Sequence, residues 1–238
     1  MERRLLLLAV TFLLVTMTYS PALAVAPLGT PTAGLKQGQF SAAFEYAIGE
    51  ADLEVSGHGI SETLKDVESN AFLANLGYGI TDDWEFYVLL GVANVQADDL
   101  DFDGDYGFAY GLGTKYTFAR DESLSWGAMF QIDWNKSEDK VSGVDIEFDY
   151  YEMTIAVGPT YELSDTMRIY GGPFFYFLNG DLKGTYESMS ATFDLEEESM
   201  FGGYVGLEVD LDQSASIYGE FQFTGDAWTF GTGIGWKF

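Results

Sequence analysis

The chain has 238 residues, 28 of them Gly, none Cys, and its 11 Lys+Arg against 38 Asp+Glu leave a formal net charge of −27. The missing Cys excludes a disulfide framework and a lipidated cysteine anchor, and the acidity excludes nucleic acid as a partner. Beyond the N-terminal leader no run of about 20 apolar residues occurs, which excludes a membrane-spanning helix.

In chain order, Arg3 and Arg4 precede an almost unbroken apolar run from Leu5 to Thr18, then Pro21 and Ala22-Leu23-Ala24. This is the pattern of a secretory signal peptide, residues 1–24, with cleavage after Ala24. Residues 25–38, with Pro27, Pro31 and several Gly and Thr, read as a periplasmic lead-in without regular structure.

From residue 39 the chain alternates with period two, the mark of strands with two unlike faces. Ten such segments follow, at 39–48, 70–80, 84–92, 106–118, 124–134, 151–163, 167–177, 201–211, 215–223 and 228–238. The first carries Phe40, Ala42, Phe44, Tyr46 and Ile48 on one parity. The last carries Trp228, Phe230, Ile234, Trp236 and Phe238 on one parity, with Gly231, Gly233, Gly235 and Lys237 on the other. Each is close to the ~9–11 residues with which a tilted strand crosses a bilayer. The connections alternate long (49–69, 93–105, 135–150, 178–200) and short (81–83, 119–123, 164–166, 212–214), with a final short one at 224–227. That asymmetry fits short periplasmic turns and longer external loops. The fold expected is all-β, a membrane-spanning antiparallel up-and-down barrel over residues 39–238, of ten strands, with eight as the alternative count.

All five Trp fall on the apolar parity near segment ends, where aromatic girdles belong. The opposite parity gathers the charges, as it must if lipid faces the first. Candidate lumen-lining residues are Glu45, Glu85, Lys115, Asp133, Glu152, Arg168, Glu208, Glu220 and Lys237. Bulky inward residues such as Tyr87, Tyr170 and Tyr218 on some segments face inward glycines on others, which predicts a filled interior. In Leu53-Glu54-Val55 and in Val144-Asp145-Ile146-Glu147-Phe148-Asp149 the apolar residues change parity. Either a bulge sits there, or the strands run on beyond the membrane.

On the Ala22-Leu23-Ala24 signal end, the alternating segments, Tyr170-Gly171-Gly172-Pro173 and the terminal Gly235-Trp236-Lys237-Phe238, the chain resembles the small outer-membrane β-barrel superfamily of Gram-negative bacteria. This is the OmpA-like, opacity-like "porin family" group. The resemblance implies an outer-membrane location and recognition of the last strand by the barrel-assembly machinery, with Trp236 and Phe238 as its signal. In one respect the chain departs from that group: its expected barrel runs to the last residue, with no appended peptidoglycan-binding domain expected.

Three further features bear on function. Asp99, Asp101, Asp103 and Asp105, with Gly104, match the first half of a D-x-D-x-D-G calcium loop, but the twelfth position is Tyr110 rather than Glu. Ca²⁺ is the one cofactor this loop suggests; an acidic loop tip is the plainer reading. Glu196-Glu197-Glu198 and the other loop acids suit solvation, divalent bridges to lipopolysaccharide or a basic ligand. His58 is the only histidine and lies between glycines, a poor basis for a rim hydrolase. The expected function is a non-enzymatic, monomeric surface or structural protein in contact with outer-membrane lipid and lipopolysaccharide. The alternatives are a narrow cation-preferring passive channel and, more weakly, a hydrolase at the rim.

Overall fold

The computed structural model describes residues 26–57, 60–187, 189–197 and 200–238. The expected signal peptide, His58 and Glu198 lie outside them. Among the described residues twelve strands are present: β1 (Phe40–Gly57), β2 (Ile60–Thr81), β3 (Trp84–Ala97), β4 (Phe102–Asp103), β5 (Gly107–Arg120), β6 (Leu124–Val141), β7 (Val144–Ser164), β8 (Met167–Tyr186), β9 (Met189–Glu197), β10 (Phe201–Asp210), β11 (Ala215–Phe223) and β12 (Ala227–Lys237). All pair antiparallel. β12 returns to β1, from Ser41 opposite Lys237 to Ala51 opposite Ala227, so the sheet forms a barrel-like ring.

The path round the ring is β1-β2-β3-β5-β6-β7-β8-β10-β11-β12. β4 and β9 are the two strands beyond the expected ten. β4 pairs with the end of β3, and β9 bridges the far ends of β8 and β1. Call the end with the short turns at 82–83, 121–123, 165–166 and 211–214 the lower end. At the upper end, three of the long loops expected from the sequence are strand. β6 and β7 continue to a turn at Ser142-Gly143, both left-handed with φ of 51° and 91°, as a two-residue hairpin turn requires.

The wall has two zones. In the lower zone the outward face carries exposed apolar residues, among them Phe44, Phe72, Phe108, Ile155 and Phe175. Its inward face is polar and aromatic. In the upper zone the faces exchange: Leu53, Val67, Val95, Phe102, Phe148 and Leu195 are buried inside, while Asp145, Asp149, Asp181, Asp194 and Glu196 are exposed outside. Phe102 and Phe148 pack ring to ring at 4.8 Å. This resolves the two parity changes. β7 keeps one unbroken register with β6 from Val144 to Tyr161, and the inward parity of β1 runs on through Leu53. Neither strand flips; the apolar residues move to the inner face. The one bulge near this level lies in β2, where the register shifts between Val67 and Leu64 and Asp66 takes a φ of 49°.

Residues 26–38 are not a bare lead-in. Ala26, Leu28, Thr32, Ala33 and Leu35 are buried, and the segment climbs inside the ring from the lower end.

The upper core is an ordinary apolar core, so Phe148→Ala should cost about 3–5 kcal/mol locally. The expected result is faster proteolysis of the β6–β7 hairpin tip, with the heat-modifiable gel mobility of the lower ring unchanged.

Candidate functional site

The inward face of the lower zone forms a built polar interior. Glu45, Glu85, Asp133, Glu152 and Glu220 all point inward and are at most 8% exposed. Buried polar groups must find partners, and here the N-terminal segment supplies many of them. The Glu220 carboxylate accepts from the backbone N–H groups of Leu28 and Gly29, each at 2.9 Å. Glu85 accepts from Gly34 N–H at 2.9 Å, and Lys237 donates to the Gly34 carbonyl at 3.1 Å. Ala33 N–H donates to Thr117 Oγ1 at 3.0 Å, and the Thr32 and Thr160 hydroxyls meet at 2.8 Å. Five strands thus grip one short segment. At Gly231 a side chain would strike Pro27, so a residue on the closing strand is small where the segment passes.

Higher up, Tyr87 donates to Gln131 Oε1 at 2.6 Å, and Gln131 Nε2 donates to Asp133 at 2.9 Å. Asp133 lies directly across from Glu152, whose other neighbour is the Tyr176 hydroxyl at 3.0 Å. Asn75 Nδ2 donates to Glu45 at 3.0 Å. Lys115 sits 5.2 Å from the centre of the Tyr87 ring. The expected interlocking of large and small residues is present: Tyr87 lies against Gly113 and Tyr170 against Gly206. Arg168, Glu208 and Asp210 form a partly exposed ion cluster near the lower mouth, with Arg168 to Glu208 at 3.1 Å.

The four aspartates of the suggested calcium loop do not converge. Asp98–Leu100 forms a 3-10 turn, Asp101 takes the left-handed conformation, and Asp103 is strand-paired to Gln96. Asp99 accepts from Lys65 N–H at 3.2 Å, and Asp105 N–H donates to the Glu138 carbonyl at 2.9 Å. Gly104 is small for packing, because a side chain there would strike Ser137. Among the described residues, no three His, Cys, Asp or Glu are placed to hold a metal ion.

The upper zone is acidic outside. Glu138, then Glu147, hold the Lys136 ammonium above its ordinary range by hydrogen bonding. At the level where the faces exchange, burial first, then Asp66, raises Glu50. At the other end of the ring, Trp236 stands between Ala42 and Ala215, and Phe238 is 74% exposed with its N–H bonded to the Phe40 carbonyl at 2.8 Å.

The internal segment escaped sequence reasoning because it has no periodicity. The available signals were the surplus of inward carboxylates and inward glycines with no bulky residue opposite.

A ring of antiparallel strands, apolar outside and polar within over its lower zone, and closed by its last strand, fits an integral outer-membrane β-barrel protein. Residues 81–238 match the family described as the outer membrane protein beta-barrel domain, and the chain belongs to that family. Among curated proteins none matches the sequence. Similar solved structures include the outer membrane protease OmpT from Escherichia coli, at 9% identity and a TM-score of 0.51, covering 84% of this chain and 96% of that one. The translocator domain of the autotransporter NalP from Neisseria meningitidis has 9% identity and a TM-score of 0.48, with 86% and 90% covered. The attachment invasion locus protein Ail of Yersinia pestis has 17% identity and a TM-score of 0.39, with 85% and 99% covered. Membership of that family places the protein in the cell outer membrane.

Glu220→Gln keeps the size of the side chain but removes a charge-assisted grip on two amides. Hydrogen exchange at Leu28 and Gly29 should accelerate on the order of 10- to 100-fold, with exchange in β5 and β6 unchanged.

Proposed function

We propose that this is a non-enzymatic, monomeric outer-membrane barrel of ten membrane-spanning strands, obstructed along its length, that displays a folded acidic head at the cell surface. The observation that carries the reading is the filling of the interior in both zones. The N-terminal segment occupies the lower zone, and an apolar core centred on Phe102 and Phe148 occupies the upper one. A water path would have to cross both. Apolar packing at native density leaves no room for hydrated ions, which favours this reading over the narrow cation-preferring channel.

The weaker rim-hydrolase reading rests on the only histidine, His58, which lies outside the described residues. The belt of exposed Phe, Tyr and Trp fits contact with lipid acyl chains. The acidic head fits divalent-bridged contact with lipopolysaccharide headgroups, and Trp236 with Phe238 fits recognition by the assembly machinery. A strongly acidic surface is no partner for nucleic acid.

In planar bilayers the refolded protein should give no resolved conductance steps. Regular cation-selective steps from the intact chain would contradict the reading. A chain lacking residues 26–36 should also fail to conduct, because the upper core remains.

A further inference from the structure

The wall of the lower zone is complete without the segment it encloses. β12 pairs with β1 from Lys237–Ser41 to Ala227–Ala51, and among the described residues no backbone–backbone bond joins residues 26–35 to a strand. Side chains of the wall hold that stretch instead, and they reach chiefly for its main chain. Glu220 accepts from the amides of Leu28 and Gly29, Thr117 from that of Ala33 and Glu85 from that of Gly34. Gln131 and Gln222 donate to the Ala26 carbonyl, at 3.5 and 3.4 Å, and Lys237 donates to that of Gly34. Thr160 meets a side chain, the Thr32 hydroxyl. Side chains that satisfy the main chain of an extended segment are the means by which a protein takes a peptide as a ligand.

The segment has the features such a site selects. Gly29 takes a left-handed φ of 68°, and the successive amides of Leu28 and Gly29 meet the two different oxygens of Glu220, a backbone nest for an anion. Pro27 and Pro31 are buried and bring no N–H to satisfy there. The wall is small where both pass: a side chain at Gly231 would strike Pro27, and one at Gly127 the Pro31 carbonyl. Leu28 and Leu35, 1% and 3% exposed, are the apolar anchors. At the lower mouth Lys36, Gln37 and Gly38 are exposed, so the stretch above them can withdraw without unpairing a strand.

We propose that the lower interior is a peptide-binding site, that residues 26–36 are its resident ligand, and that an extended Gly- and Pro-rich peptide entering by the lower mouth can take their place. Recognition rests on a left-handed glycine seated on Glu220 and on a second amide, five residues later, seated on Glu85. The upper core stays closed throughout, so the site is a blind chamber open at one end.

The test uses the refolded chain beginning at residue 25, with a specific protease site inserted between Gln37 and Gly38 and cut after refolding. A synthetic peptide of residues 26–37, carrying a fluorophore after Gln37, is then added. It should enter the cut barrel one to one and be chased by the unlabelled peptide. Gly29→Val in the peptide, which disfavours the left-handed turn, and Glu220→Gln in the wall should each weaken binding roughly 10-fold or more. A cut segment that never exchanges under native conditions, a barrel that loses it yet binds no labelled peptide, or an affinity indifferent to both substitutions would overturn the proposal. If the inserted site resists cutting, hydrogen exchange in the uncut chain decides. The amides of residues 28, 29, 33 and 34 should open together and faster than those of β11 and β12; opening only together with those strands overturns it. Each of these failures leaves the obstructed-barrel reading standing, which the conductance measurement tests separately.

Discussion

Over part of its height the wall of this protein has hydrocarbon on its outer side, and that constraint orders everything else. No water is available there to a backbone N–H or C=O, so every strand must pair on both edges and the sheet must return on itself. The pairing of β12 with β1 meets that demand. The same constraint sends Phe44, Phe108 and Phe175 outward and drives charge to the inner face, where a carboxylate costs less than against lipid.

Where the constraint stops, the wall reverts to the rule for water. Along β7 the alternation never breaks, yet Phe148 is buried inside and Asp149 is exposed outside, while Ile155 is exposed outside and Glu152 is buried inside. One strand thus crosses from a lipid-facing wall into a water-facing one with no change of backbone. The lower interior, forced to be polar, then needs partners for its carboxylates. A peptide segment is well suited to the task, because its N–H groups are donors without competing charge. Glu220 and Glu85 use it in this way.

Much of this was legible in local sequence. The segments at 84–92 and 215–223 announce themselves by alternation alone, and β3 and β11 begin where that alternation begins. Val144, Ile146 and Phe148 also announce an exchange of faces, but its meaning depends on what medium lies outside, which no local pattern encodes. Ending a strand where its outward apolar residues end therefore left the upper hairpins as loops. The internal segment was illegible for another reason. Its anchors are distant in sequence: Glu220 lies 192 residues from Leu28, and Glu85 lies 51 from Gly34. Gly104 resembled the turn of a calcium loop, yet its smallness serves close packing against Ser137. A glycine's reason is set by its neighbours in space.

The exchange of faces can be measured directly on β7. Single cysteines placed in turn from Asp145 to Tyr161, in a chain that has none of its own, would carry a label quenched by lipid-borne or by water-borne quenchers. Lipid quenching should appear at Tyr151, Met153, Ile155 and Val157. Water quenching should dominate at Asp145, Glu147 and Asp149, although all seven share one outward parity. Lipid quenching that continues unchanged through Asp149 and Asp145 would contradict the account.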